Sequence, residues 1–542
     1  MLSTEPSLSI VWDEGYTLGR ENRIRLWFQA LRDPAGFAAR WQPPRIELVE
    51  DRRTPPEAHE IDTRAKLFEP AVLSWFWPFG REEPHGHPPF YAIVGMLGDL
   101  LAPSWEVLPR ARLGPMLVFS LTAGALFAFC ARRLGSWPAA LAAGAWVLQP
   151  RLFAHGHYAT YDALLSSLWV GSILAFWCAM EPAAQPRRNP RWGWVAVFGL
   201  LAGWAADTKL TGWALPLPFL VWTAIYRDRR ALLTLLVGGV VAAIVLYAFN
   251  PPWWPAPIAG IERFLHSNLS RDRTIRIPVL FLGEVIETPN GSLPWYNTLV
   301  WTVFVTPLGF LLLAIVGAAR AVRHLQSRTF EVLAVLNWFF LLALRALPHT
   351  PGHDGERQFL PVFGCLALVA GLGASAVMER WPRWGRGLLA AALAEAGLGV
   401  ALMMPVPLSY YSPQVGGLAG ASALGMEPTY YWDAFSPEAL DWLNAHTPPG
   451  DKVRFATNPS SWLYLRQTGR LLPGFLPGPG RWAWYVLQNR PGAFSATDRA
   501  LIAQGKAAFV VSKWGVPLVW IFPFAQLEAV SAATLRREGP RP

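Results

Sequence analysis

The 542-residue sequence is poor in cysteine. It has three, Cys130, Cys178 and Cys365, each inside an apolar run. With no CxxC pair and no zinc-type spacing, they read as small packed core residues, and disulfide, redox and zinc chemistry find no support. Charge is scarce as well. Only 15% of residues are charged, against about 25% in soluble domains, which excludes an ordinary soluble chain. A secretory leader is also lacking: MLSTEPSLSIVWDEGYTLGRENR has no basic start followed by an apolar stretch. What is abundant is apolar and aromatic. Hydrophobic residues make up 53%, with 29 Trp and 30 Phe, side chains that favour membrane interfaces. The composition is that of a polytopic membrane protein. The net charge of +10 needs no nucleic-acid partner if the arginines lie in cytoplasmic loops.

A spanning helix needs about 20 mostly apolar residues. Ten segments qualify, some of them short: 113–131, 137–150, 160–180, 192–206, 210–226, 231–249, 296–318, 329–347, 359–378 and 387–405. The run 88–103 is bounded by prolines and interrupted by Asp99, which predicts an interfacial helix. Arginines test the topology. Arg132–Arg133, Arg187–Arg188–Arg191, Arg227–Arg229–Arg230, Arg320–Arg323–Arg328 and Arg380–Arg383–Arg386 fall in every second connection. Positive charge kept inside puts all five in the cytoplasm and both termini on the periplasmic side of an inner membrane. Nothing in residues 1–112 would carry them across, which predicts a first helix encoded upstream of Met1 or, as the alternative, an outer N-terminus moved by the first helical hairpin. Past about residue 406 the pattern changes. SPEALDWLNAH reads as a helix opened by Ser436 and Pro437, GDKVRFATN and KAAFVVSKW as strands. Three parts are therefore expected: an outer loop with interfacial helices (1–112), a membrane domain (113–406) and a small periplasmic α/β domain (407–542).

The unusual polar residues gather on the outer face of this topology. Asp13–Glu14, beside Trp12 and Tyr16, suits a general base whose pKa an aromatic wall could tune, or a solvated acidic turn. In REEPHGHPPFY, Pro88–Pro89 fixes the chain geometry and would hold His85 and His87 on a rigid approach to the membrane, or merely form a turn. PRLFAHGHYATYDALL places His155, His157, Tyr158, Tyr161 and Asp162 at a helix mouth, where Asp162 is either functional or a helix cap. Lys209, in AADTKLTGW, is suited to a phosphate unless Asp207 neutralises it. HTPGHDGERQFLP adds His349, His353, Asp354, Glu356 and Arg357 before a helix start, and Arg357 offers a two-pronged donor for phosphate. Charges at the ends of the spans suit an enzyme acting on an anionic lipid at the bilayer surface. Transporters more often place them at the midplane.

In this order the motifs resemble the GT-C superfamily of polyprenyl-phosphate-sugar-dependent glycosyltransferases. The similarity is greatest to bacterial glycosyltransferase family 39, relatives of protein O-mannosyltransferases and lipid A aminoarabinose transferases, and it runs from Asp13 to about residue 405. Asp13–Glu14 looks like the acidic motif of the family's first outer loop. His87-Pro88-Pro89-Phe90-Tyr91 looks like its His/Lys-Pro-Pro motif, Tyr161–Asp162 its Tyr-x-Asp-type motif, Thr208–Lys209 its Thr-Lys joint, and Arg357–Pro361 its Arg before Leu-Pro. The family's first helix is missing. The resemblance implies an inverting transfer of a sugar from a polyprenyl-phosphate donor to a lipid, glycan or protein hydroxyl outside the membrane. Asp13, Glu14 and Asp162 would be catalytic and Lys209 and Arg357 would bind the donor phosphate. His85, His87, His155, His157 and Tyr161 would line the site. No cofactor is required by that chemistry, though the histidines leave a divalent metal open. A transporter or flippase of lipid-linked sugar, or an inactive scaffold, are the competing expectations.

Overall fold

The computed structural model describes residues 1–43, 53–78, 87–181, 189–270, 277–287, 291–327, 329–350 and 352–538. His85, with the rest of Arg81–Gly86, and Arg187, Arg188 and Arg328 lie outside the described residues. All ten apolar segments are helical. Among the described residues, five helices are long and apolar enough to cross a membrane: Val107–Leu134, Tyr161–Met180, Arg229–Ala248, Pro361–Arg380 and Pro382–Met403. Others are shorter. Ser136–Leu148 and Trp192–Ala206 are continuous, whereas 210–226 is a 3-10 turn, Leu210–Ala214, followed by Pro216–Tyr226. The segment expected at 296–318 is two helices, Asn297–Val305 and Leu308–Arg323. Pro307 sits between them and holds Thr306 in an extended conformation (φ −94°, ψ 130°), as the residue before a proline prefers.

Tyr161–Met180 and Pro361–Arg380 form the centre of the bundle and are buried along nearly their whole length. Both are apolar all round, which suits a helix with neighbours on every side. Small residues set how closely the helices approach. A Cβ added at Gly373 would lie 1.8 Å from the Leu313 carbonyl oxygen, and one at Gly317 2.1 Å from that of Val369. The backbones of Leu308–Arg323 and Pro361–Arg380 therefore touch directly, a contact only glycine permits. Polar contacts add to this: Trp169 Nε1 donates to Asn337 Oδ1 at 3.1 Å inside the bundle.

Helix Trp12–Arg32 is not legible as an apolar segment, yet it spans 21 residues. It lies against the paired short helices Phe90–Gly95 and Leu97–Leu101, where the interfacial helix was expected. Asp99 ties these pieces together, accepting Arg25 Nε at 2.7 Å and Arg110 Nε at 3.0 Å. Between the later helices, Val279–Phe281 (β1) and Glu284–Ile286 (β2) form an antiparallel hairpin.

The C-terminal region carries a four-stranded sheet in the order β3-β4-β6-β5, from β3 Lys452–Phe455, β4 Trp482–Gln488, β5 Phe509–Lys513 and β6 Val516–Pro523. The β3–β4 pair is parallel and the other two are antiparallel. Helix Pro437–His446 and strands β3 and β5 fall where the sequence puts them. One face of β4 and β6 packs through Tyr485, Leu487, Trp520 and Phe522 onto Leu501, Phe524 and Leu527. The other joins the core that runs through the membrane helices. Residues of this region also hold the start of helix Trp12–Arg32: Ser461 Oγ donates to the Val11 carbonyl at 2.7 Å, and Trp12 N donates to the Tyr431 carbonyl at 3.0 Å.

Candidate active site

Four separate segments bring charged side chains to one end of the bundle, and a fifth adds a tyrosine. Asp13 stands in the first turn of Trp12–Arg32, and Tyr161 and Asp162 open Tyr161–Met180. Lys209 occupies the extended joint after Trp192–Ala206. Arg357 lies in the 3-10 turn Gly355–Phe359, just before Pro361 starts its helix. Tyr431 comes from the C-terminal region.

Arg357 is the hub. Its Nη1 donates to Asp13 Oδ2 at 2.5 Å, to Tyr431 Oη at 3.0 Å and to Tyr161 Oη at 3.2 Å, and lies 3.4 Å from Asp162 Oδ2. Its Nη2 donates to Asp354 Oδ2 at 2.7 Å. Asp13 Oδ2 also accepts from Tyr161 Oη at 2.6 Å and Tyr431 Oη at 2.8 Å. Lys209 Nζ donates to Asp162 Oδ1 at 2.7 Å and reaches Gln358 Oε1 at 3.4 Å. From the C-terminal region, Arg490 Nη1 reaches Asp354 Oδ1 at 3.2 Å. The His87 ring packs on Tyr161 with centroids 3.8 Å apart.

These charges are almost enclosed. Side-chain exposure is 1% for Asp162, 4% for Arg357 and 7% for Lys209, but 17% for Asp13, which therefore forms the accessible edge of the cluster. Burial raises the Asp13 carboxyl, but the Arg357 charge and the two phenol hydrogen bonds outweigh it, and its pKa lies below the ordinary value. Burial brings the Lys209 ammonium down to about 8, with Asp162 pulling the other way. His155 is fully buried, and burial, helped by Arg357, Arg151 and Lys209, pushes it well down. It is therefore a neutral imidazole. Among the described residues, no group of three His, Cys, Asp or Glu side chains is arranged to hold a metal ion. Chemically, the cluster offers cations for an anionic group and, at its open edge, a carboxylate that can take a proton.

Residues 86–254 match the family model for dolichyl-phosphate-mannose-protein mannosyltransferases. Over these residues the chain is similar to that family. Solved structures are similar at a lower level. ArnT from Cupriavidus metallidurans, bound to undecaprenyl phosphate, has 16% identity over 80% of this chain and 87% of its own, with a TM-score of 0.44. The archaeal oligosaccharyltransferase AglB from Archaeoglobus fulgidus, in complex with an inhibitory peptide and a dolichol-phosphate, has 14% identity over 75% of this chain and 62% of its own, with a TM-score of 0.42. A search of curated proteins gives no match.

The family match spans His87, Tyr161, Asp162 and Lys209, all of which meet in the cluster or pack on it. Other expectations are corrected. Glu14, expected beside Asp13 as a catalytic acid, faces away from the cluster. Its Oε1 accepts Arg112 Nε at 2.7 Å and Ala159 N at 2.9 Å, and its Oε2 accepts Arg112 Nη2 at 2.7 Å and Val11 N at 3.0 Å. With Arg112 also holding Glu5 at 2.9 Å, Glu14 is a structural acid. Successive residues of a helix point about 100° apart, and here that step turns Glu14 toward Arg112 and away from the cluster. His157 is likewise drawn into the fold, next to Thr4 Oγ1 at 2.9 Å and the Phe153 carbonyl at 2.8 Å. Asp207 is not the partner of Lys209; it accepts from Asn250. Asp162 faces Lys209 and Arg357 instead of capping its helix. Sequence reasoning missed Tyr431, Gln358 and Arg490. The only signal for Tyr431 is an aromatic run, Tyr430–Tyr431–Trp432, followed by the acid Asp433.

Proposed function

We propose that the protein moves a sugar from a polyprenyl-phosphate carrier to a hydroxyl of a lipid, glycan or protein on the periplasmic face of the inner membrane, with inversion at the anomeric carbon. The observation that carries this reading is the meeting of Asp13, Asp162, Lys209 and Arg357 at one end of the helical bundle. The family match, whose members use dolichyl-phosphate-mannose, points to the same donor class.

In the reaction the acceptor oxygen forms a bond to the anomeric carbon while the bond from that carbon to the phosphate oxygen breaks. The acceptor proton goes to Asp13, and the lipid phosphate leaves as a monoester dianion. Lys209 and Arg357 stabilise the charge it gains. Asp162 holds both cations in place, and His87, packed on Tyr161, lines the carrier side of the pocket. Two cations already meet the phosphate, so the reading requires no metal.

The test is transfer from a radiolabelled polyprenyl-phosphate sugar to total membrane acceptors in proteoliposomes. Asp13→Asn should abolish transfer with expression and thermal stability retained, and wild-type transfer should survive EDTA. An Asp13→Asn protein of full activity rejects the assignment of the base. Carrier movement across the bilayer without sugar transfer would favour a flippase.

A further inference from the structure

Asp13 Oδ2 accepts three hydrogen bonds, from Arg357, Tyr161 and Tyr431. The first two donors come from the membrane helices and their mouths. The third arrives from the C-terminal region, 418 residues away in sequence. We propose that Tyr431 is a positioning residue, through which the C-terminal region holds the base Asp13 in its working orientation; the inference rests on Asp13 being that base.

The local backbone supports a built contact. Tyr431 and Trp432 both have φ of +67°, the left-handed region that bulky residues avoid. Two such residues in succession persist only where the surroundings force them. Here the surroundings do so on both sides. Trp12 N donates to the Tyr431 carbonyl, Ser9 Oγ donates to the Phe435 carbonyl at 2.8 Å, and Leu408 N donates to Asp433 Oδ2 at 3.0 Å. Trp432 packs edge-on against Trp462 at 5.3 Å. This arrangement aims the Tyr431 hydroxyl at Asp13 and lays its ring 4.2 Å from the Arg357 guanidinium carbon. Gly15, two residues along the helix from Asp13, has no room for a Cβ, which would fall 2.4 Å from Ser461 N. The C-terminal region thus grips the turn that bears the base as well as the carboxylate itself.

A phenol donating to a carboxylate stabilises the anion. The charged groups around Asp13 are Arg357 in direct contact and, beyond it, Asp162, Lys209, Asp354 and the neutral His155. Removing the Tyr431 hydroxyl deletes its hydrogen bond to Asp13 and the one it accepts from Arg357 Nη1, and leaves the ion pairs of Arg357 with Asp13, Asp162 and Asp354 in place. Tyr431→Phe keeps the ring on Arg357, and the three carboxylates that pair with the guanidinium hold it in place for the donor while the Asp13 carboxyl moves up. The acid limb of kcat/KM, set by the base losing its proton, should shift upward by about one pH unit, with donor KM within about twofold of wild type. Monofluorotyrosine at position 431 keeps the shape but donates more strongly, and should move the limb down. Both variants are assayed in proteoliposomes beside Asp13→Asn. An inactive Asp13→Asn with opposite limb shifts in the two Tyr431 variants supports the proposal. An inactive Asp13→Asn with the limb unmoved in both overturns it and leaves the base assignment standing. An active Asp13→Asn overturns both. Should Tyr431→Phe fail to fold, the fluorinated variant decides alone: a downward limb supports the proposal and an unmoved one overturns it.

Discussion

Lys209 gives a test that depends on its chemistry as well as its presence. Its ammonium is buried beside Asp162, and burial, opposed by that carboxylate and reinforced by Arg357, brings its pKa down to about 8. A lysine binds a phosphate only when protonated, so its contribution is complete well below pH 8 and lost above it. For a pKa of about 8, roughly nine tenths of the enzyme carries the charge at pH 7 and roughly one tenth at pH 9. If Lys209 is needed for the donor, kcat/KM should fall about tenfold across that interval, because this ratio reports the ionisation of the free enzyme. Lys209→Arg supplies the discriminating perturbation. A guanidinium stays charged far beyond this range, so the alkaline limb should disappear, on a plateau lowered by the imperfect fit of a longer, forked side chain. The assay is initial-rate transfer from a labelled polyprenyl-phosphate sugar in proteoliposomes between pH 6 and 10. A limb of unchanged position and depth in Lys209→Arg would refute the reasoning, as would a wild-type profile flat through pH 10.

Glu14 and Arg112 should behave as a structural pair. Both side chains are fully enclosed, and removing one partner of a buried, hydrogen-bonded ion pair costs about 3–5 kcal/mol. Glu14→Ala should therefore lower the midpoint of unfolding by SDS in mixed micelles, and the Glu14→Leu, Arg112→Leu double variant should recover part of the loss. Unchanged stability with lost activity in Glu14→Gln would return Glu14 to the catalytic list. Helix contact can be probed separately. Gly373→Val should prevent assembly of the bundle, since its Cβ would meet the Leu313 carbonyl at 1.8 Å, whereas Gly387→Ala, with nothing within 4 Å, should be neutral or stabilising; size-exclusion profiles and melting curves compare the two.

Much of the fold is legible because a membrane imposes a single requirement, long apolar runs, that composition alone satisfies. The helix Trp12–Arg32 is not. It contains two glycines, a threonine and four arginines, and what sustains it is tertiary: Glu14 on Arg112, and Ser461 against Gly15. Strand β6 hides its period between Pro517 and Pro523, and β4 opens with the aromatic run Trp482–Tyr485, so neither shows alternation. The hairpin β1–β2 turns at Leu282–Gly283, with φ of +50° and +87°, a turn without the usual Asn or Asp signal. In the site, the charged residues were legible because charge beside an apolar run is conspicuous. Tyr431 was not, since a tyrosine in a tail is unremarkable until the backbone delivers it to Asp13. Nor does sequence tell which of two adjacent acids faces the pocket; the helical direction of Asp13 and Glu14 decides that.

The pairing of acids with cations in the cluster fits the charge changes of the proposed step. Before reaction, Arg357 shares its charge among Asp13, Asp162 and Asp354, and Lys209 answers to Asp162. A donor phosphodiester carries one negative charge and the departing monoester two. As the phosphate gains one, the acceptor proton neutralises Asp13, so the total charge of the pocket is the same at the end as at the start. What moves is the partner of Arg357, from the carboxylate of Asp13 to the phosphate. In an enclosed site, where uncompensated charge is costly, a guanidinium that already touches the base is well placed to follow that transfer without the surrounding side chains reorganising. The same contact explains why Asp13, though held below the ordinary carboxylate range at rest, need not be a weak base at the moment of reaction: as Arg357 turns toward the developing dianion, the interaction that depresses Asp13 weakens and its proton affinity rises. Arg357→Lys breaks this coupling, since a single ammonium cannot hold the base and the phosphate together. It should lower kcat more than it raises the donor KM; a change confined to KM would mean that Arg357 only binds.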